Sequence, residues 1–374
     1  MLTPPTIAIF LPSLIGGGAE RVMLNLATSM AQLGIKINLV LAKAEGQYLE
    51  QVPKTVTIID LGCKRTLDSL PKLVTYLKRE KPLTLISAIE HTNIIAIWAK
   101  KLAGVSTKIV ITEHNPPSKL EYATEATVKK LRALRIAMRF SYPLADQVIA
   151  VSQGVADDLK SLVSASKVQV IHNPVIRQDM FQKAQEPLQH PWFQKDQIPV
   201  ILAVGRLEKQ KDFPNLLQAF ALLKKKQAAR LMILGEGQER AVLESLVTSL
   251  NLTADVALPG FDSNPYRYIK RAKVFVLSSV MEGLPTVLIE AMALGVPLVS
   301  TDCESGPREI LEGGKHGVLV PIQNSQALAE AMEKALSTAP QGVSQSVLKS
   351  YTHEVAVHAY LKVAGVDLLT QEAR

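Results

Sequence analysis

The sequence predicts an α/β protein built from two Rossmann-like, doubly wound parallel-sheet domains. Three observations predict it. Short apolar runs alternate with helix-period segments along almost the whole chain, the pattern of strands buried on both faces by intervening helices. A length of 374 residues exceeds what one hydrophobic core usually serves. The alternation lapses once, over residues 185–197, where Pro187 and His190-Pro191 interrupt any periodicity. These signals divide the chain into a first domain at 1–185, a linker at 186–197, a second domain at 198–352 and a terminal helical segment at 353–374.

Composition excludes several classes. Hydrophobic residues make up 47% and there is no low-complexity stretch, so both domains are expected to be compact. The two cysteines, Cys63 and Cys303, are too few for a disulfide framework, have no metal-ligand spacing, and fit a reducing cytosol. The amino terminus carries an apolar run without a preceding basic region, which reads as a first strand and not as a signal peptide. No apolar segment reaches the roughly 18 to 20 residues of a spanning helix, so membrane contact is expected to be peripheral. The net charge of +8 sits in the first half: residues 1–184 hold 23 Lys and Arg against 14 Asp and Glu, and the remainder 19 against 20. An acidic partner is implied on that side, with nucleic acid and an anionic membrane as the alternatives.

In the first half, residues 7–11 form an apolar strand, Gly16-Gly17-Gly18 a glycine loop, and residues 19–33 a helix closed by Gly34. Strand, glycine loop and helix present backbone amides to phosphate; a tight turn without ligand is the plainer alternative. Two details oppose a dinucleotide site: G-x-G-x-x-G needs glycine at Arg21, and the second strand, 37–42, ends at Lys43 where a ribose-binding acid is expected. Strands at 56–61, 83–87 and 108–112 alternate with helices at 67–78 and 93–102. His91 and His114 follow two of these strands, at the carboxyl edge where ligands gather in such sheets. Residues 121–142 read as a helix whose Lys129, Arg132, Arg135 and Arg139 share one face, with Leu131, Leu134 and Met138 opposite and Ile136 and Phe140 at the border. Charge beside apolar side chains suits a membrane surface or a polyprenyl diphosphate, or else is a solvated face on a core helix. Aromatic residues for stacking bases are missing, which argues against nucleic acid. Strands at 146–151 and 167–171 complete this half.

The second half opens with a strand at 200–204 that runs into G-R-L-E-K-Q-K-D, setting Arg206 and Lys211 at a strand end as a rigid fork and a mobile point charge, both suited to a diphosphate. A helix is expected at 214–223. The strand at 231–234 closes in Gly235-Glu236-Gly237, and that at 256–258 in Pro259-Gly260-Phe261. Residues 272–277 and 296–300 are the next strands, with one helix between them. Pro285 suits its first residue and Gly295 the left-handed residue past its end. The backbone amides over residues 283–287, Gly283, Leu284 and Thr286 among them, then form an anion seat at the positive end of the helix. Glu282 and Glu290 flank it, Glu282 within reach of a sugar and Glu290 of a ribose diol. A loop at 304–309, a strand at 317–320 and helices at 327–335 and 355–369 follow.

The string E-G-L-P-T-V-L-I-E-A-M-A-L-G-V-P, with G-R-x-x-x-x-K before it and G-G-G-A-E-R and T-E-H-N-P in the first half, resembles the family 4 glycosyltransferases. The resemblance implies the GT-B fold, whose two domains face a cleft and whose last helix returns to the first domain, so that the cleft can close on donor. It implies a retaining transferase that moves a sugar, a hexose or N-acetylhexosamine, from a nucleotide donor. Arg206 and Lys211 would neutralise the leaving diphosphate, residues 283–286 would hold it, Glu290 would take the ribose, Glu282 would position the sugar, and His114 would contact it from the first domain. Gly16, Gly17 and Gly18 would lie near donor phosphates and acceptor, while Gly235 and Phe261 would pack on a base, uracil by resemblance. Related enzymes that extend lipid-linked oligosaccharides use a basic helix for their acceptor, which implies that role for residues 129–139 at the inner face of the membrane of a cytoplasmic protein. The sequence has no D-x-D, so protein cations are expected to replace a metal and no cofactor is expected. A sugar-nucleotide epimerase on the same fold, or a donor-binding protein without activity, are the alternatives.

Overall fold

A computed structural model describes residues 5–119, 125–194, 198–339 and 342–366. The chain divides into two units, Met1–Pro174 with Ser350–Arg374, and Val175–Lys349. The first holds a seven-stranded parallel sheet, β1 (Thr6–Leu11), β2 (Lys36–Leu41), β3 (Val56–Asp60), β4 (Thr84–Ala88), β5 (Lys108–Glu113), β6 (Gln147–Ala150) and β7 (Val168–Val170), in the order β3-β2-β1-β4-β5-β6-β7. The second holds six parallel strands, β8 (Val200–Val204), β9 (Arg230–Leu234), β10 (Val256–Gly260), β11 (Val274–Leu277), β12 (Leu298–Thr301) and β13 (Val318–Val320), in the order β10-β9-β8-β11-β12-β13. Both repeat the doubly wound 3-2-1-4-5-6 order, in which the connections reverse direction between the first and fourth strands. That switch point falls between β1 and β4 in one unit and between β8 and β11 in the other.

The apolar runs become strands because they can be covered on both faces. Every residue of β4 and of β11 is buried, and so are the central residues of β1, β2 and β8. Helix ends follow their local chemistry. Ser152 Oγ accepts the Val155 amide at 3.3 Å and Asn324 Oδ1 the Ala327 amide at 2.9 Å, satisfying donors that a first turn leaves open.

Several boundaries differ from the sequence expectation. The helix expected at 67–78 runs over Ser69–Glu80, and that at 93–102 starts at Glu90, which puts His91 in a first helical turn and not in a loop. Pro285 caps the helix Thr286–Ala293 from just outside it, while Gly295 follows that helix at φ +74°. The helix Gln178–Gln185, not expected from the sequence, falls within the span assigned to the first domain but belongs to the second unit. Buried Met180 and Ala184 hold this segment together with polar and aromatic anchors. Asn264 Nδ2 donates to Lys183 O at 3.0 Å and to Glu186 Oε2 at 2.8 Å, Arg271 donates to Ala184 O, and the Arg230 guanidinium lies 5.0 Å above the Trp192 ring.

The helix His353–Ala364 joins the core of the first unit. Val357, Tyr360 and Leu361 are buried against the same cluster as Ile7, Ile9, Met23 and Leu39. Its last turn is fastened by Thr84 Oγ1 donating to Ala364 O at 2.9 Å and Lys108 Nζ donating to Val363 O at 2.5 Å.

Candidate active site

The second unit gathers its polar residues at the switch point between β8 and β11. The turn after β8 carries Lys211 and the turn after β11 carries Glu282, and Lys211 Nζ donates to Glu282 Oε1 at 2.6 Å. Ser279 Oγ donates to the same oxygen at 2.6 Å, and Thr301 Oγ1, at the end of β12, donates to Ser279 O at 2.5 Å. Ser278 Oγ bonds to Lys211 O at 2.7 Å and Gln210 Nε2 to Met281 O at 2.8 Å, so the two turns are laced together. Both members of the pair are largely shielded, which strengthens their attraction and fixes the ammonium beside the helix start.

Residues 283–285 are buried and lead into the helix Thr286–Ala293, whose first amides have no intrahelical partner. The loop is braced from β12: Ser305 Oγ donates to Gly283 O at 3.0 Å, and Gly306, at φ +88°, lies so close that a Cβ there would be 2.5 Å from Pro285 Cδ. Glu290 is half-buried on that helix and accepts from Tyr266 OH at 3.4 Å. Arg206 is apart from the pair. Its guanidinium bonds Glu208 Oε1 at 2.9 Å and its side chain is 62% exposed, so it reaches a ligand only by turning from Glu208. Gly235 sits at φ +143°, where a Cβ would be 1.9 Å from Gly205 O; only glycine permits the approach of these two strand ends. Phe261 is exposed.

Sequence reasoning did not find Ser279, Thr301 or Gln210, whose roles depend on pairings across strands; for Ser279 and Thr301, a hydroxyl at or just past a strand end is the one signal they leave. It also missed Arg240, which donates to Glu236 at 2.5 Å, to Leu258 O at 3.2 Å and to Gly235 O at 3.4 Å, and so ties the two loops that were assigned to a base. The Glu236, Arg240, Glu244 spacing of four was visible in the sequence. Burial pushes the Cys303 thiol up to about 12, leaving it unreactive at neutral pH.

In the first unit the glycine loop closes on its own helix. Glu20 Oε2 accepts the Gly16 amide at 2.8 Å and the Gly17 amide at 2.7 Å, so two of the amides assigned to donor phosphate are engaged by a carboxylate of the next turn. His114 follows β5 with its Nε2 buried and without a hydrogen-bond partner among the described residues. Burial pushes its pKa down to about 4, so it is a neutral imidazole at pH 7, able to give or take a hydrogen bond but not to present a charge. On the helix Glu125–Ser141, Arg132 and Arg139 are exposed, Arg135 is half-buried and Met138 buried, while Ile136 and Phe140 are 59% and 70% exposed. The side chain of Lys129 lies outside the described residues. Among the described residues no group of three His, Cys, Asp or Glu is arranged to hold a metal, and no helix is long and apolar enough to cross a membrane.

The architecture matches solved sugar transferases. A glycosyltransferase from Rickettsia africae aligns over 97% of this chain and 98% of its own with a TM-score of 0.75 at 18% identity. HepE of Anabaena, solved with UDP, aligns over 98% and 96% with a TM-score of 0.71 at 20% identity. The fold is therefore GT-B, the two-sheet class of glycosyl-transfer enzymes. The model "Glycosyltransferase Family 4" matches residues 16–178 and "Glycosyl transferases group 1" residues 185–347. The N-acetylgalactosamine-N,N'-diacetylbacillosaminyl-diphospho-undecaprenol 4-alpha-N-acetylgalactosaminyltransferase of Campylobacter jejuni is 32% identical over 88% of this chain and 90% of its own. The lipopolysaccharide core biosynthesis glycosyltransferase LpsE of Rhizobium meliloti is 25% identical over 95% of each. The chain belongs to the group 1, family 4 glycosyltransferases.

Proposed function

We propose that this enzyme transfers a hexose or N-acetylhexosamine from a UDP-sugar to a glycan carried on a polyprenyl diphosphate, with retention of the anomeric configuration and without a metal. The observation that carries the reading is the Lys211–Glu282 pair beside the open helix start at Thr286. In transfer, the bond from the anomeric carbon to the diphosphate oxygen breaks, the diphosphate takes the electron pair, and an acceptor hydroxyl forms the new bond and gives its proton to the departing diphosphate. Negative charge grows on the diphosphate, so the groups that lower the barrier are donors fixed where that charge appears. Lys211 has three N–H bonds and gives one to Glu282, and Arg206 swings from Glu208 to add a second cation. Residues 283–286 receive the phosphate, Glu290 the ribose and Glu282 a sugar hydroxyl. These protein cations do the work that a divalent ion does elsewhere, so EDTA is expected to leave turnover unchanged. His114 gives the sugar a neutral hydrogen bond.

The acceptor side rests on the basic helix. Exposed Arg132 and Arg139 lie beside exposed Ile136 and Phe140, and Trp98 and Leu102 of the neighbouring helix Glu90–Ala103 are exposed as well. Cations next to apolar side chains suit a lipid diphosphate at the inner face of an anionic membrane. The Campylobacter relative bears such an acceptor in its name. A thermal-shift panel of UDP-, GDP- and ADP-sugars tests the donor: a shift with a UDP-sugar alone supports the reading and a shift confined to another base refutes it. Replacing Arg132, Arg135 and Arg139 with Gln is expected to depress transfer to a lipid-linked acceptor far more than hydrolysis of the donor. An equal loss of both would dismiss the acceptor reading.

A further inference from the structure

The carboxyl ends of β4 and β5 carry an acid that the reaction above does not use. Glu113, the last residue of β5, is fully buried. Its Oε1 accepts from Tyr142 OH and, at 2.8 Å, from Asn93 Nδ2, which also donates to Thr112 O at 3.1 Å. Asn93 and Tyr142 are themselves fully buried. Glu113 Oε2 has no partner among the described residues, and neither has Asn93 Oδ1. One oxygen thus lacks a donor and the other lacks one too, on two side chains already in contact. A proton on Glu113 Oε2 supplies both needs after a small rotation, whereas an ionised carboxylate supplies neither.

The surroundings favour the neutral acid. The charged groups acting on Glu113 are Glu90, from the helix Glu90–Ala103, and Asp158, from the helix Gln153–Leu159; Tyr142 is neutral and His114 is a neutral imidazole. Both charged neighbours are acids. Burial together with Glu90 drives the Glu113 carboxyl well above the ordinary range, and burial raises Glu90 too. The backbone at this place is strained as well: Ile89, β-branched, joins β4 to its helix at φ +79° and ψ +135°. Such a conformation persists only where surrounding bonds hold it, and Asn93, one turn on, is the residue that ties this helix to β5.

We propose that Glu113 is a positioning residue that works as a neutral carboxylic acid, pinning the end of β5 to the helix Glu90–Ala103 through Asn93 and Tyr142 so that His114 is presented, uncharged, to the substrate. This rests on the reading of His114 as a sugar contact. Ionising Glu113 would put a buried negative charge one residue from that imidazole, drawing a proton onto it and loosening the strand end.

Infrared spectroscopy of the full chain tests the protonation directly. The carbonyl stretch of a neutral carboxylic acid is expected at pH 7.5 in the wild type and is expected to vanish in Glu113→Gln. The amide keeps the hydrogen-bonding shape without the titration, so Glu113→Gln is expected to hold kcat within about threefold, while Glu113→Ala loses about 10²-fold through misplacement of His114. Wild-type kcat should decline at alkaline pH as the band converts to carboxylate, and the Gln variant should lack that decline. Absence of a Glu113-dependent acid band overturns the proposal, as does a Gln variant damaged as severely as the Ala variant. Should Glu113→Ala fail to fold, the band and the Gln variant still decide. A His114→Ala enzyme with unaltered kcat would instead remove the sugar-contact reading, and leaves the band as the measure of the acid's state.

Discussion

The two units use the same switch point differently. Each sends a glycine-containing turn from its first strand and an acid from its fourth, residues 16–18 and Glu90 beside β1 and β4, Gly205 with Lys211 and Glu282 beside β8 and β11. In the second unit the bond crosses between turns, from Lys211 to a glutamate 71 residues away. In the first the carboxylates bond locally: Glu20 closes on the amides of Gly16 and Gly17, and Glu90 bonds its own amide. A non-local pair positions charge for a ligand that spans two loops, whereas a local one secures its own helix. Of the two switch points, the one in the second unit is therefore where single substitutions should reach the chemistry most directly.

The largest effect is expected from Lys211→Ala, which leaves Glu282 shielded without its cation. It should cost about 10³-fold in kcat and about 3 kcal/mol in the stability of the second unit, read by steady-state kinetics and denaturant unfolding. A loss of stability without a loss of turnover would erase the contrast. Glu282→Gln keeps a group for Ser279 to bond and should be milder, about 10²-fold in kcat, with a smaller change in donor KM. In the first unit, His114→Asn should lower kcat about tenfold, the worth of one neutral hydrogen bond. It should also flatten part of the stability–pH curve. The folded-state pKa of about 4 lies below the reference value of 6.5, so the folded protein binds fewer protons in that window; stability is complete above pH 6.5 and falls as the pH drops towards 4. Thermal midpoints between pH 4 and 7 for the two proteins check this. The smallest effect is expected from Glu20→Ala, a loss of about 1 kcal/mol of helix capping with donor KM unmoved. A donor KM that falls would show the carboxylate competing with phosphate for the glycine amides, and the local–non-local contrast would need redrawing.

Much of this was legible because it is periodic or short-range. Alternating strands and helices announced two parallel sheets, and Pro285 and Gly295 bracketed the helix that Glu282 and Glu290 flank. Lys211 and Glu282 were each visible as residues, yet their bond was not, since it depends on β8 and β11 lying side by side. Arg206 looked like the twin of Lys211 from spacing alone; the structure gives it to Glu208, two residues away, a pairing that chain position could have raised. Glu113 was hidden for another reason. An acid ending an apolar strand reads as exposed, and only the arrival of Asn93 and Tyr142 from separate segments makes its burial tolerable.

The helix His353–Ala364 sets an order of events during synthesis. Val357, Tyr360 and Leu361 fill space beside β1 and β2, yet the ribosome makes them only after the whole of Val175–Lys349. At 5 to 20 residues per second, the nascent first sheet waits roughly 10 to 35 s with that apolar surface bare. Over that interval a chaperone that shields the gap would raise the yield of native enzyme, and a chain released early would be the species that aggregates.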